Sequence, residues 1–322
     1  MMQDSSEIFH YRQDFDAFYE TNLKSLFVGL ENKRKTYLKA FIISSFLVFF
    51  IMPAGMYWLF LHFYHIFSQM DVNSYSDTLP WIFLIGGGIV ALPIKLYKNQ
   101  NKSIIMPEFI KFFEGFEYNK ENFIPDDIIS QSKIMPFYEE KEHDDFFVGS
   151  YKDVAMTISE EKLVKIQRTN KGVRRNTLFR GVFVSLEMNK NFEGQTIGLK
   201  DKGILNSFNK PKGFENVKLE DTTFEKIWEI YSDNQIEARY LLTTAFMDRL
   251  LKVKTLFNGK SLTFSFFDNI LFLAIDMRKD MFETSSLFKS TANKQHINET
   301  LEQFLSIMAI VDILKLNQRI GM

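Results

Sequence analysis

The chain has 322 residues, of which 39 are basic and 40 acidic, giving a formal net charge of −1, and it contains no cysteine. A general nucleic-acid binder carries a strong basic excess, so we expect no nucleic acid among the partners. The lack of cysteine excludes disulfides, thiol catalysis and cysteine-based metal sites.

Two apolar segments lie within the first hundred residues. No charged residue occurs over Ala40–Met70 if the histidines are neutral, and a second uncharged segment covers Thr78–Ile94. A bilayer core requires about 20 apolar residues in a helix. The pattern therefore predicts a transmembrane helical hairpin over residues 39–95, with spans at about 41–64 and 78–95.

Helix-kinking and small residues interrupt both apolar segments. Pro53 lies within the first span, where a proline is tolerated as a kink. Gly86, Gly87 and Gly88 lie in the middle of the second. We favour close packing of one helix on the other as their role, because the hairpin partner is tethered by a short loop. Simple flexibility or lipid exposure is the alternative.

The basic residues around the hairpin predict its orientation. They are Lys33, Arg34, Lys35 and Lys39 before the first span and Lys95, Lys98 and Lys102 after the second. The connecting loop contains Asp71 and Asp77 but no Lys or Arg. The positive-inside rule then places both termini in the cytoplasm. The first apolar segment begins too far along the chain, and is too long, for a cleaved signal peptide.

An amphipathic helix is predicted before the hairpin. From about Arg12 to Leu30, apolar residues recur at intervals of three and four, which predicts a cytosolic helix within residues 1–38. This helix would lie on the membrane, pair with a partner helix, or pack against its own chain. The mixed charges of its polar face favour the last. Residues 96–137 are predicted to form a membrane-proximal connector.

Residues 138–322 are predicted to form a cytosolic α+β domain. The predicted strands alternate apolar and polar residues and build an antiparallel sheet of six to eight strands. These strands are Phe146–Ser150, Val154–Ser159, Leu163–Gln167, Thr177–Glu187, Gln195–Leu199, Phe224–Tyr231, Ser261–Phe267 and Ile270–Ile275. One helix is predicted over Glu237–Leu251, with Thr243 or Thr244 as an internal cap, and a long one over Ile297–Leu316. The fold class is thus α+β, with an N-terminal amphipathic helix, a two-helix transmembrane hairpin and a cytosolic antiparallel-sheet domain with C-terminal helices.

Two charged stretches flank the first predicted strands. Residues 139–145 contain five acids and His143, which could supply a metal site, but nearly consecutive side chains diverge in a strand, so we favour a solvated strand entry. The other stretch is a basic hairpin loop with Lys171, Arg174 and Arg175. This loop could contact acidic lipid headgroups or RNA, or be a plain exposed loop.

No catalytic motif is recognisable, so no catalytic, cofactor-binding or metal-binding residue is predicted. The most distinctive polar group is Asp233, Glu237 and Arg239, where a predicted strand joins a predicted helix. We favour a structural role, with a buried Glu–Arg pair holding the junction. Catalytic carboxylate chemistry is the alternative, and it lacks a second convergent acid.

Several segments of the chain carry a family resemblance. Besides the hairpin, they are GSYKDVAMTISEEKL at Gly149–Leu163, LFRGVFVSLEMNKNFEGQTI at Leu178–Ile197, YSDNQIEARYLLTTAFMDRL at Tyr231–Leu250 and SFFDNILFLAI at Ser265–Ile275. With these segments the chain resembles the DUF3137 family of bacterial membrane proteins over nearly its whole length. The resemblance implies a bacterial inner-membrane protein and provides no catalytic residues.

Three functions remain open on the sequence. The favoured one is a non-enzymatic, membrane-anchored binding or scaffold module, whose partners are the lipid bilayer and a membrane protein or a second copy of the chain. The second is a membrane-tethered enzyme acting on a lipid or a membrane-associated substrate. The third is an oligomeric channel or transporter component, because two spans without internal charge cannot form a polar pathway alone.

Overall fold

The computed structural model describes residues 3–62, 72–169, 172–201, 211–257, 261–277, 280–291 and 293–316. It divides into two compact units. The helical unit comprises Met1–Phe109 and Glu283–Asn298, and the sheet unit comprises Ile110–Phe282 and Glu299–Met322. The predicted connector is therefore divided between the units, and a segment from late in the chain belongs with the N-terminal helices.

The helical unit contains two long helical stretches. The helices are α1 (Gln3–Phe18), α2 (Lys24–Phe46), α3 (Met52–His62) and α4 (Val72–Phe109). Two π-helical turns, Tyr19–Leu23 and Leu47–Ile51, join α1 to α2 and α2 to α3 without a break. The last residues of the first predicted span and residues 65–71 lie outside the described residues, and the rest of the predicted connecting loop, up to Asp77, belongs to α4.

The π-helical turn between α2 and α3 lies directly before Pro53. In an α-helix the ring of Pro53 would clash with the carbonyl four residues earlier. The Met52 N–H instead bonds to the carbonyl of Leu47, five residues back, which widens the turn at this point. The chain thus accommodates the predicted kink by a wider turn rather than a break.

The apolar face of the N-terminal helix is buried inside the helical unit. Its buried residues are Phe15, Tyr19, Leu23, Phe27 and Leu30, all from the predicted periodic set. The Phe15 ring packs edge-on against Phe109 of α4 at 5.8 Å, and the Lys294 ammonium lies 4.1 Å from the centroid of the Tyr19 ring. This face therefore packs against its own chain.

The sheet unit is built on nine antiparallel strands in the order β1-β2-β3-β4-β9-β8-β5-β7-β6. The strands are β1 (Phe116–Tyr118), β2 (Glu140–Tyr151), β3 (Val154–Thr169), β4 (Gly172–Glu187), β5 (Thr196–Lys200), β6 (Glu215–Asn216), β7 (Trp228–Ser232), β8 (Leu262–Phe267) and β9 (Ile270–Asp276). The helices are α5 (Asp126–Ser132), α6 (Thr222–Glu225), α7 (Gln235–Leu241), α8 (Thr244–Leu256) and α9 (Gln295–Leu314), with a 3₁₀ turn at Ile110–Phe112. The predicted α+β class and antiparallel sheet are confirmed, but the described sheet has nine strands and not the predicted six to eight.

Aromatic rings fill the core of the sheet unit. Phe183 of β4 stacks on Phe179 at 4.4 Å and on Phe272 of β9 at 5.3 Å, and both Phe183 and Phe272 are fully buried. From α9, Phe304 packs against Phe113 and Phe147. The predicted C-terminal helix is thus confirmed, and its apolar stripe is part of this core.

Three predicted elements differ from the structure. The segment predicted as the strand Phe224–Tyr231 begins as α6, because Asp221 caps the N–H groups of Thr223 and Phe224. The single helix predicted from Glu237 is two, because Leu242 leaves the helical region and Thr243 caps α8 by accepting from Phe246 N at 3.3 Å.

The third difference lies in β3. The two short strands predicted over Val154–Ser159 and Leu163–Gln167 are one 16-residue strand. Glu160 and Glu161 interrupt the apolar pattern at its middle, yet they are only 4% and 2% exposed. A prediction that places every charged residue at the surface is therefore wrong here, because the sheet buries both carboxylates.

Candidate functional site

The helix pair carries large apolar side chains on its outside, and we call this set the exposed apolar surface. In α2, the following turn and α3 it consists of Ile42, Ile43, Phe46, Leu47, Phe49, Phe50, Ile51, Met52, Met56, Tyr57, Trp58, Leu59 and Leu61, and in α4 of Leu84, Ile85, Ile89, Leu92 and Leu96. Within the described part of the chain, one helix, Tyr11–Leu59, is long and apolar enough to cross a membrane, and none of its most apolar window is buried. A core helix of a soluble protein would be buried over this length.

The predicted glycine contact occurs at one of the three positions. A Cβ built on Gly86 would lie 2.8 Å from Val48 Cγ1 of the facing helix, so the two backbones approach closely there. The same atom on Gly87 or Gly88 would meet nothing within 4 Å. Helix packing therefore depends on Gly86, and the other two glycines face open space.

A buried polar network holds residues 283–291, hereafter the 283–291 segment, against the helices of the same unit. Arg34 donates to the Glu31 carboxylate at 2.7 and 2.9 Å and to the Leu287 carbonyl at 3.0 Å. Glu31 also accepts the Thr291 N–H at 3.0 Å. The two charged side chains are only 12% and 20% exposed. Arg34, followed by the Thr291 donors, lowers the pKa of Glu31 to about 2.

A second set of contacts ties the same segment to α4. Asn101 donates to Ser285 Oγ at 3.0 Å, and both residues are buried. Lys98 forms an ion pair with Glu283 at 2.9 Å. The sequence analysis missed this network, since partners about 180 or 250 residues apart leave no local pattern. The one available signal was Arg34, which was interpreted as part of the basic flank.

The predicted junction group does not come together as an ion pair. Asp233 Oδ1 accepts the Gln195 N–H at 2.6 Å, and a Cβ on Gly194 (φ 92°) would clash with this carboxylate. Glu237 pairs with Lys190 at 2.8 Å instead of Arg239. Residues two apart on a helix do not face each other, so Arg239 is exposed and bonds the Gln235 carbonyl at 3.5 Å.

The predicted basic loop is the far end of a long two-stranded ladder. Lys171 lies outside the described residues. Arg174 and Arg175 belong to β4 and pair in register with Gln167 and Ile166 of β3. Both arginines are exposed, and Arg175 forms an ion pair with Glu140. The strands thus extend through most of the predicted loop.

The acidic stretch is partly buried, so the solvated strand entry is wrong for Asp145, which is 1% exposed. The register of β2 shifts between His143 and Phe146, and this irregularity brings oxygens of Asp144, Asp145 and Glu160 within 4.8 Å of one another. Three such oxygens could hold a hard cation. Tyr118 donates to Asp145 at 3.0 Å and Met281 N to Glu160 at 2.7 Å, so the chain's own donors engage two of these carboxylates.

A cleft of about 390 Å³ opens in the sheet unit beside the segment that follows α5. It is lined by Ile134, Met135, Pro136, Leu178, Phe179, Leu199 and Ala274 together with Lys133, Lys200, Ser261, Thr263 and Asp276. Both lysines are exposed at its rim. The volume suits a small ligand, and the lining would accept an apolar body with an anionic group.

Comparison with known proteins identifies one family. Residues 177–316 match the family described as Protein of unknown function (DUF3137). No curated protein matches the chain. Among solved structures, the crystal structure of the mycobacterial trehalose monomycolate transport factor A, TtfA, aligns over 67% of this chain and 94% of that one, with 10% sequence identity and a TM-score of 0.32. A likeness this weak carries no inference. The resemblance stated from the sequence is confirmed over residues 177–316, which match the DUF3137 family.

Proposed function

We propose that the protein is a multi-pass protein of the bacterial cytoplasmic membrane that acts as a non-enzymatic binding or scaffold module. The exposed apolar surface carries this proposal. Monomeric soluble proteins rarely expose so many large apolar side chains together, and such surfaces mark contact with a membrane or another protein. From Phe41 to His62 the helix rises about 32 Å, which matches a hydrocarbon core of about 30 Å.

The charges around the helices support a hairpin with both ends in the cytoplasm. Lys33, Lys35 and Lys39 are exposed on α2 just before the apolar surface, and Lys95 is exposed just after it on α4. In this topology the sheet unit lies in the cytoplasm, and the loop between the spans reaches the opposite side.

Single-cysteine labelling tests the anchor, since the chain has no cysteine of its own. We expect Ser74→Cys, near the start of α4 and between the two proposed spans, to react with a membrane-impermeant maleimide in intact spheroplasts. Lys24→Cys, exposed on α2, should react only after permeabilisation. Release of the protein by alkaline carbonate, or labelling of both positions from outside, would refute the anchored topology.

The cleft favours binding over catalysis. Its two exposed lysines and its apolar walls suit capture of an anionic amphiphile, such as a lipid or an acylated small molecule. The enzyme alternative relied on the polar group at Asp233 and Glu237. Since a backbone N–H and Lys190 engage these acids, we assign them to the fold of the strand–helix junction.

Purification in mild detergent tests the binding role. We expect a stoichiometric lipid, small molecule or protein to accompany the full-length protein. Thr263→Trp, which fills the cleft, should release a small ligand, whereas Lys252→Trp on exposed α8 should not. Recovery of the wild-type protein with no stoichiometric companion would contradict the binding role and leave the anchor unaffected.

A further inference from the structure

Phe288 is an exposed aromatic side chain that the helical unit holds in a fixed place. Its neighbour Leu287 is 1% exposed, whereas Phe288 is 59% exposed. The Phe288 ring packs edge-on against Phe41 of α2, with centroids 5.2 Å apart at 81°. Edge-to-face packing is one of the favoured arrangements of two aromatic rings.

The position of Phe288 is fixed from both sides along the chain. Arg34 holds the Leu287 carbonyl, and Glu31 holds the Thr291 N–H. The Phe288 N–H itself bonds Ser286 Oγ at 3.3 Å. The segment therefore projects this ring while burying the residue before it, which a freely moving loop would not do.

The place where the ring lies is a chemical boundary. Phe41 is directly followed by Ile42, which is 57% exposed and begins the exposed apolar surface. Arg34 and its buried network lie seven residues earlier, about 10 Å along the helix. Two exposed lysines lie close by in sequence: Lys39, two residues before Phe41, and Lys289, directly after Phe288. Exposed Phe side chains next to exposed lysines are typical of elements that insert into the boundary between headgroups and acyl chains.

We propose that Phe288 inserts into the boundary between headgroups and acyl chains, so that the 283–291 segment is a membrane-contacting element. This inference rests on the proposed membrane anchor. Its occupant is the lipid bilayer, because the ring continues the exposed apolar surface. The polar network then has a role, since it sets the depth at which this segment meets the lipid.

Spin-label accessibility tests the inference on the full-length chain in nanodiscs of phosphatidylethanolamine and phosphatidylglycerol. Three single-cysteine variants carry a nitroxide: Phe288→Cys, Leu61→Cys within the proposed span, and Val28→Cys. Val28 is a matched control, because it is an apolar residue 66% exposed on the same helix, about 20 Å before Phe41. The measurement is the ratio of relaxation by oxygen, which enriches in lipid, to relaxation by a water-soluble nickel complex.

We expect the ratio at position 288 to be several-fold higher than at position 28 and to approach that at position 61. A ratio at 288 equal to that at 28, with a lipid-like value at 61, would overturn the role of Phe288 and leave the anchor intact. A water-like value at 61 would overturn the anchor and this inference together.

Discussion

The two units differ in how much of their large apolar side chains they leave exposed. In the sheet unit, the fully buried rings of Phe183 and Phe272 form the core. In the helical unit, Phe49 and Phe50 are 62% and 65% exposed, while Asn101 is completely buried. A sheet core forms because water excludes apolar surface, whereas a helix surrounded by lipid gains nothing from hiding apolar groups. The proposed membrane anchor accounts for this contrast, because it places the exposed rings of the helical unit in lipid.

The largest expected effect is a core truncation in the sheet unit. Phe183→Ala removes a buried ring that stacks on two others, so we expect a loss of about 3–5 kcal/mol in the free energy of unfolding. Hydrogen exchange of β8 and β9 in detergent, followed by mass spectrometry, measures this loss for the sheet unit alone. Phe50→Ala is the matched control in the helical unit, where protection of the α3 amides should change by less than about 0.5 kcal/mol. A large loss in Phe50→Ala would mean that protein rather than lipid covers this ring.

The next effect concerns the buried ion pair. Arg34→Met leaves the partly buried Glu31 carboxylate without its main hydrogen-bond partner, so we expect the 283–291 segment to lose protection from exchange by about 2–3 kcal/mol. Lys35→Met, at the exposed neighbouring position, should have almost no effect. Equal protection in both variants would show that the network does not hold the segment.

The same pair predicts a pH dependence. Because the folded pKa of Glu31 is lowered from 4.5 to about 2, its stabilising contribution is complete above about pH 4.5 and is lost as the pH falls towards 2. Removal of Arg34 returns the pKa of Glu31 towards its usual value. In Arg34→Met the loss of protection on acidification should therefore be smaller and occur nearer pH 4. Exchange of the peptide containing Thr291, measured from pH 6 to pH 2, checks both curves. An unchanged profile in Arg34→Met would contradict the assignment.

A smaller effect is expected at the helix–helix contact. Gly86→Val places a side chain against Val48 Cγ1, and such overpacking costs about 1–3 kcal/mol. Gly87→Val changes helix propensity by the same amount but meets open space. Unfolding by sodium dodecyl sulfate titration, followed by far-ultraviolet circular dichroism, compares the two. Equal losses would show that the approach at Gly86 does not limit packing.

Local sequence patterns predicted much of the fold, but they did not predict contacts between residues far apart in the chain. The periodicity of Phe15 to Leu30 predicted the N-terminal helix, and the alternation over Ser261–Phe267 and Ile270–Ile275 predicted the strands β8 and β9. No pattern placed β9 beside β4, because strand order depends on packing between distant segments. The burial of Asp145 follows from a register shift that one strand's sequence does not reveal.

The candidate sites show the same limit. Gly86 was identified correctly as a close contact because small residues at helix interfaces form a local signal. The network of Arg34 and Glu31 was not found, since its partners on the 283–291 segment, the Leu287 carbonyl and the Thr291 N–H, lie about 250 residues away. Charge alone also misassigned the partner of Glu237, because spacing along a helix, rather than proximity in sequence, decides which side chains meet.

The smallest expected effect separates the two interpretations of that last junction. Lys190 bonds Glu237 at 2.8 Å, and its ammonium lies 4.5 Å from the centroid of the Tyr240 ring, so Lys190→Ala should cost about 0.5–1 kcal/mol, most of it screened at high salt. Arg239→Ala removes only a long bond from an exposed side chain and should cost less than about 0.3 kcal/mol. Exchange of the α7 amides in low and high salt measures both variants. A larger loss in Arg239→Ala than in Lys190→Ala would restore the Glu237–Arg239 pair and refute the junction seen in the sheet unit.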